Sequence, residues 1–197
     1  MATFDWNFQP KLDRRAVEEL LSLAFVERAE DLLITGKTGT GKSHILQAIA
    51  LKACEQEWAV RYCRCVDLVD DLYAGLADGS YNRRMKHWAR PALLLIDDVG
   101  LGQLKRQGDE PTAAHILYTL LDKRHGRVAT ALTSNLKLSA WGRYLGDASL
   151  AAAALDRLAA TATRIDIDGP SYRQHLARKR AEDSGRAMVQ DGEGQDP

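Results

Sequence analysis

The run Gly36-Lys37-Thr38-Gly39-Thr40-Gly41-Lys42-Ser43 holds the most chemistry per residue in this chain. Its glycines let successive backbone N–H groups turn toward one point and cradle phosphate oxygens. At this spacing Lys42 reaches β- and γ-phosphates and Ser43 offers its hydroxyl to Mg²⁺. The positive end of the following helix adds to the attraction. All eight residues, Gly36, Lys37, Thr38, Gly39, Thr40, Gly41, Lys42 and Ser43, are read as a nucleotide phosphate site, with ATP and Mg²⁺ as its cofactors. The plainer alternative is a glycine-rich turn between a strand and a helix.

A second pair, Asp97-Asp98, ends the apolar run Leu93-Leu94-Leu95-Ile96. A carboxylate leaving a hydrophobic strand beside a phosphate loop suits Asp97 to hold Mg²⁺ through water, and Asp98 to polarise an attacking water. Many hydrolytic relatives carry Glu at the second position. The shorter Asp98 must sit closer or act through another water, so turnover is expected to be slow. Asn135, closing Thr133-Ser134-Asn135, can donate and accept at once. It suits a water held between Asp98 and the γ-phosphate, or the capping of a turn.

These residues need a scaffold. Asp13 is an expected N-cap for a helix carrying Val17, Leu20, Leu21, Leu23 and Ala24. Strands are expected at Leu32–Thr35, Ala59–Cys63, Leu93–Ile96, Val128–Thr133 and Thr163–Ile167. Helices are expected from Lys42 to Glu57, after Asp67 as cap, from Tyr81 to Trp88, from Pro111 in a first turn, and from Tyr172 to Glu182. Uninterrupted apolar strands alternating with helices imply an α/β, three-layer fold with a mostly parallel five-stranded sheet. One domain over residues 1–183 is expected, with a helical insertion at 67–91 and a disordered tail at 184–197.

The chain has 197 residues, 27 Lys+Arg against 27 Asp+Glu, and 45% hydrophobic residues, an ordinary globular balance. No apolar run reaches the roughly 18 residues that span a bilayer, so no membrane partner is expected. An odd number of cysteines, 3, gives no disulfide framework, and the chain reads as cytosolic and reduced. Cys63 and Cys65 would share a strand face as packing residues rather than zinc ligands, and the five histidines make no metal spacing.

The order phosphate loop, Asp-Asp strand, Asn at the next strand end is that of the AAA+ ATPases. Phe4–Pro10, Ile96–Gly100, Leu132–Asn135, Trp141-Gly142, Gly146-Asp147 and Leu155–Leu158 resemble the IstB transposition helper proteins, sisters of the DnaC-type helicase loaders. The resemblance covers about Phe4 to Arg173. It implies a P-loop NTPase (AAA+) core, Asn135 as first sensor, and Arg157 as an arginine finger completing a neighbouring subunit's site. It also implies Phe4–Pro10 near the adenine, and ATP-dependent self-association on double-stranded DNA with a transposase of the same mobile element as partner. On its residue type alone Arg157 equally suits a solvated helix end. The residues after Ile167 are too few for a large C-terminal lid, so a reduced or absent lid is expected, with Arg173 as a candidate second sensor. Family members carry a helical region before the core, and this chain starts almost at the core's edge.

Arg83, Arg84, Lys86, His87 and Arg90 cluster with no acid between them, interleaved with Tyr81 and Trp88. In the initiator and loader clade this insertion touches DNA. Arg83, Arg84, Lys86 and Arg90 are DNA-binding candidates, as are Lys105 and Arg106 more weakly; a solvated polar face would have the same composition. Three functions follow: an ATP-dependent regulator of transposition, a helicase loader, or a small-molecule kinase. For the kinase no acceptor pocket or arginine-rich lid is recognisable.

Overall fold

The computed structural model describes residues 4–104, 106, 108–160 and 162–181. The expected tail at 184–197 and Lys105 lie outside them. Five strands, β1 (Leu32–Gly36), β2 (Val60–Arg64), β3 (Leu93–Val99), β4 (Ala129–Ser134) and β5 (Thr163–Ile167), form one sheet. Their order is β2-β3-β4-β1-β5, and every neighbouring pair is parallel. The helices are α1 (Arg14–Leu20), α2 (Ala24–Glu27), α3 (Lys42–Glu55), α4 (Cys65–Ala77), α5 (Tyr81–Ala89), α6 (Ala113–Arg124), α7 (Trp141–Leu145) and α8 (Ala148–Ala159). A further helix, α9, covers residues 172–181.

Alternation along the strands explains the three layers. Leu32, Ile34, Leu93 and Leu95 join Val17, Phe25, Ile45, Leu46 and Ile49 on the face covered by α1, α2 and α3. Leu33, Leu94, Ile96 and Leu132 join Leu68, Leu72, Leu117, Leu120, Trp141 and Leu158 on the face covered by α4, α6, α7 and α8. A strand apolar at every position therefore serves two cores, one on each face.

Local signals fared unevenly. Asp13 caps α1, accepting from the N–H groups of Arg15 at 2.9 Å and Ala16 at 3.3 Å. The helix stops at Leu20, because Leu23 takes a left-handed φ of 63° before α2 begins. Asp67 does not cap α4, which starts two residues earlier; it lies in the first turn, paired with Arg64 at 2.6 Å. Cys63 therefore ends in β2 and Cys65 in α4, so they share no strand face, although both are buried. Thr112, not Pro111, marks the start of α6 and accepts from the His115 N–H at 3.3 Å. No helix among the described residues is long and apolar enough to cross a membrane.

Candidate nucleotide and nucleic-acid sites

The phosphate loop joins β1 to α3 at the carboxyl edge of the sheet. Lys42 is buried, and its Nζ donates to the Gly36 and Lys37 carbonyl oxygens, each at 2.9 Å. Burial holds its pKa below the ordinary lysine value, while the charges of Asp98 and Asp97 oppose that shift. An ammonium held only by its own loop's carbonyls can be turned over to an incoming phosphate. Gly41 has φ of 103°, and a Cβ there would sit 2.7 Å from the Phe4 ring. Only glycine lets that aromatic close onto the loop.

Asp97 and Asp98 stand opposite. The register between β3 and β4 shifts between Ile96 and Val99, and Asp98 sits in that irregularity with φ of 58°. A bulge of this kind re-aims a side chain beside a site. A left-handed non-glycine residue costs on the order of 1–3 kcal/mol, and Asp tolerates the region better than most residues. This gives a backbone reason for Asp rather than Glu at position 98. Thr133 locks the pair: its hydroxyl accepts from the Asp98 N–H at 2.9 Å and donates to Asp97. Ser43 Oγ lies 3.1 Å from the Asp97 carboxylate. A serine hydroxyl and a carboxylate are hard oxygen donors. They fit Mg²⁺, which commonly takes one or two carboxylates and completes its shell with phosphates and water.

Phe4, Asp5, Phe8 and Gln9 line the cavity of about 190 Å³ that also contains Thr38 to His44, Asp98, Tyr172 and Arg173. Phe4 meets His44 at 5.6 Å between ring centroids, and Phe8 meets Tyr172 at 5.1 Å. Gln9 donates to the Pro170 carbonyl at 3.0 Å, and the Tyr172 N–H donates to the Gly39 carbonyl at 2.9 Å. The segments before α1 and after β5 thus clasp over the phosphate loop. Phe4, Phe8 and Tyr172 make part of the pocket wall aromatic, a surface on which a flat base can stack.

A family model described as IstB-like ATP binding protein matches residues 1–181. This chain belongs to the IstB-like ATP-binding family. A protein of insertion sequence IS5376 from Geobacillus stearothermophilus, to which ATP binding is assigned, is 33% identical over 181 residues. That alignment covers 92% of this chain and 69% of the relative. The counterpart from insertion sequence IS21 of Pseudomonas aeruginosa is 34% identical, with 89% and 64% covered. The IstB-like chain thus spans about two thirds of its relatives' length. In fold it is similar to the replication initiator DnaA, solved with AMPPCP and single-stranded DNA, at a TM-score of 0.64 and 20% identity, covering 88% of this chain and 52% of that one. It is similar also to DnaI, at 0.63 and 21%, covering 86% and 88%. The fold is therefore that of the P-loop AAA+ proteins, in a family described as ATP-binding.

Arg173 lines the nucleotide pocket beside Tyr172, where its charge is felt by both Lys42 and Asp98. Asn135 directly follows β4, with its Oδ1 buried and without a hydrogen-bond partner. A Cβ on Gly100, whose φ is 102°, would come within 2.6 Å of that oxygen. Asn135 lines a neighbouring cavity with Thr35, Gly36 and Lys37 rather than the aromatic pocket. Arg157 is exposed on α8, held by Asp122 at 3.1 Å and by a hydrogen bond with Tyr118, and does not line its own nucleotide pocket. An exposed ion pair of this kind is worth little, so the guanidinium can be given up to another surface.

The basic cluster splits along α5. Asn82, Arg83, Lys86, His87 and Arg90 are exposed and, with Arg61, line a groove of about 750 Å³ beside the start of β2. Arg84 turns the other way: its guanidinium is engaged by Asp71 and, at 2.7 Å, by Asp78. Arg84 is thus a structural ion-pair residue and leaves the set of nucleic-acid candidates. Trp88 also turns inward, donating its indole N–H to Asp71 at 2.8 Å under the Arg61 guanidinium. Arg106 is exposed but does not line the groove.

Nothing in the sequence marks Arg124. This buried arginine donates to the Ala89 and Pro91 carbonyls at 2.9 Å and to Thr130 Oγ1 at 2.9 Å. It ties the end of α5, and Pro91 of the groove lining, to β4.

Proposed function

We propose that this chain is an ATP-hydrolysing AAA+ regulator of DNA transposition, one that self-associates on duplex DNA with ATP and Mg²⁺ and recruits or stimulates a transposase. The observation that carries it is the convergence of Lys42, Ser43 and Asp98 on one pocket, with the buried Asp97 hydrogen-bonded to Ser43, in a chain of the IstB-like family. Bound Mg²⁺ would neutralise charge on the β- and γ-phosphates. Ser43 and Asp97 would hold it, Lys42 would meet the phosphates, and Asp98 would take the proton of the attacking water. Insertion-sequence relatives supply the context for the transposase partner. The likeness to helicase loaders is one of fold and does not by itself favour loading.

Burial and the neighbouring Asp97 charge raise the Asp98 pKa above the usual carboxylate value, opposed by Lys42, Arg173 and Arg64. The base form is the ionised one, so hydrolysis should rise with pH through a midpoint above that of an ordinary aspartate, and fall away below it. Asp98→Asn keeps a residue tolerant of φ 58° and removes the charge. Its hydrolysis should drop at least about 100-fold and lose that acid limb, with ATP affinity nearly unchanged. An unchanged rate or an unchanged acid limb in steady-state assays would sink the base role.

The groove predicts phosphate recognition, since Arg61, Arg83, Lys86 and Arg90 line it and both neighbouring aromatics, on which splayed bases could stack, are half-buried. Arg83→Ala/Lys86→Ala should weaken duplex binding equally for unrelated sequences. Removing one phosphate-neutralising charge should flatten the log–log salt dependence by about 0.9. Fluorescence anisotropy at several salt concentrations measures this, and a slope equal to that of the unmodified protein would remove the groove from the interface.

A further inference from the structure

The buried Asp97 carboxylate is held from both sides. Its Oδ1 accepts from Ser43 Oγ at 3.1 Å, from the Asp98 N–H at 3.0 Å and from the Thr133 hydroxyl. Its Oδ2 accepts from the phenol of Tyr62. Tyr62 comes from β2, the edge strand, paired there with Leu95. Its side chain also meets Gln47 of α3. Tyr62 is 37% exposed, so it is not a core filler held by packing alone. A phenol is protonated at neutral pH and so can donate its O–H to the carboxylate.

Ser43 and Tyr62 therefore address different oxygens of one carboxylate. The Asp98 N–H and the Thr133 hydroxyl hold Oδ1 on the Ser43 side; the phenol holds Oδ2, and the anchors at the two oxygens together set the plane of the carboxylate that faces the metal. We infer that Tyr62 is a positioning residue for the magnesium–nucleotide complex, helping to fix the plane of the Asp97 carboxylate that faces the cation. This rests on the nucleotide site proposed above. It adds a residue that the phosphate-loop and Asp-Asp motifs do not contain, and it links the edge strand leading into α4 and α5 to the metal carboxylate. Partners of a metal-holding group commonly matter about 10–100-fold for metal affinity, because they set its orientation.

Tyr62→Phe deletes one hydroxyl and keeps the ring. The experiment is a titration of a fluorescent ATP analogue with and without Mg²⁺, together with the unfolding midpoint of the nucleotide-free protein. Affinity without Mg²⁺ and the unfolding midpoint should match the unmodified protein. The Mg²⁺ concentration giving half the gain in nucleotide affinity should rise about tenfold. Lys42→Ala serves as the control that removes nucleotide binding altogether. A Mg²⁺ midpoint unmoved in Tyr62→Phe overturns the inference, whether or not the unfolding midpoint changes. In that case Mg²⁺-dependent binding by the unmodified protein, abolished in Lys42→Ala, leaves the site itself standing. If the unmodified protein binds nucleotide with no response to Mg²⁺, the inference fails and the metal assignment of Ser43 and Asp97 falls with it.

Discussion

Lys42→Ala should lower ATP affinity at least about 100-fold, a loss of about 3 kcal/mol, without unfolding the protein. The ammonium is buried and held by two carbonyl oxygens of its own loop. Those carbonyls cannot bind a phosphate themselves, since both would be acceptors facing an anion. Removing Nζ therefore takes away the cation inside the loop and leaves its acceptors turned toward the ligand. The folded protein without nucleotide has less to lose, because a desolvated ammonium is costly in its own right, as its lowered pKa shows. Equilibrium titration with an ATP analogue, beside circular dichroism of the nucleotide-free protein, measures both quantities. An affinity close to that of the unmodified protein would mean that the loop does not bind phosphate as described.

Arg157→Ala should reduce hydrolysis about 10³-fold while leaving ATP affinity within a few-fold. A guanidinium that meets the γ-phosphate mainly as charge develops contributes to rate rather than to ground-state binding, and such fingers are worth roughly 10³–10⁵ in other NTPases. The side chain's place on the outside of α8, away from its own pocket, requires that any such contact be made to a second copy. Mixing provides the decisive control. Arg157→Ala protein has intact phosphate loops and Lys42→Ala protein has intact fingers, so each alone should be inactive while the mixture regains part of the activity at mixed interfaces. Full hydrolysis by pure Arg157→Ala protein, measured by phosphate release, would refute the finger.

How much of the site is legible in a sequence depends on whether a residue acts through its own neighbours or through distant ones. The phosphate loop is legible because all its parts are contiguous. Asp97 is legible because a carboxylate at the end of an apolar strand has few other uses. The parallel sheet follows from strands apolar on both faces, but not its spatial order, which arises from crossovers. Tyr62 and Thr133 carry no such mark because their roles come from register: neighbouring strands bring them to Asp97 from 35 and 36 residues away. Asp98's left-handed backbone has no signature beyond the choice of Asp. The basic insertion reads as one cluster because Arg83, Arg84, Lys86 and Arg90 lie close together with His87 among them. A helical count separates Arg84 and Trp88, four apart and sharing Asp71, from the exposed row at 82, 83, 86, 87 and 90. Asp71 and Asp78, in the stretch before, are the available hint.

The burial of Cys63 and Cys65 has a practical side. Of the three cysteines only Cys54 is exposed, near the end of α3, the helix that begins at Lys42. Burial raises both inner thiols to about 12, which keeps them from forming the reactive thiolate. A thiol-directed dye would therefore mark one position, without mutagenesis. That position lies on the rigid element leading from the phosphate loop, far enough along it not to obstruct the nucleotide.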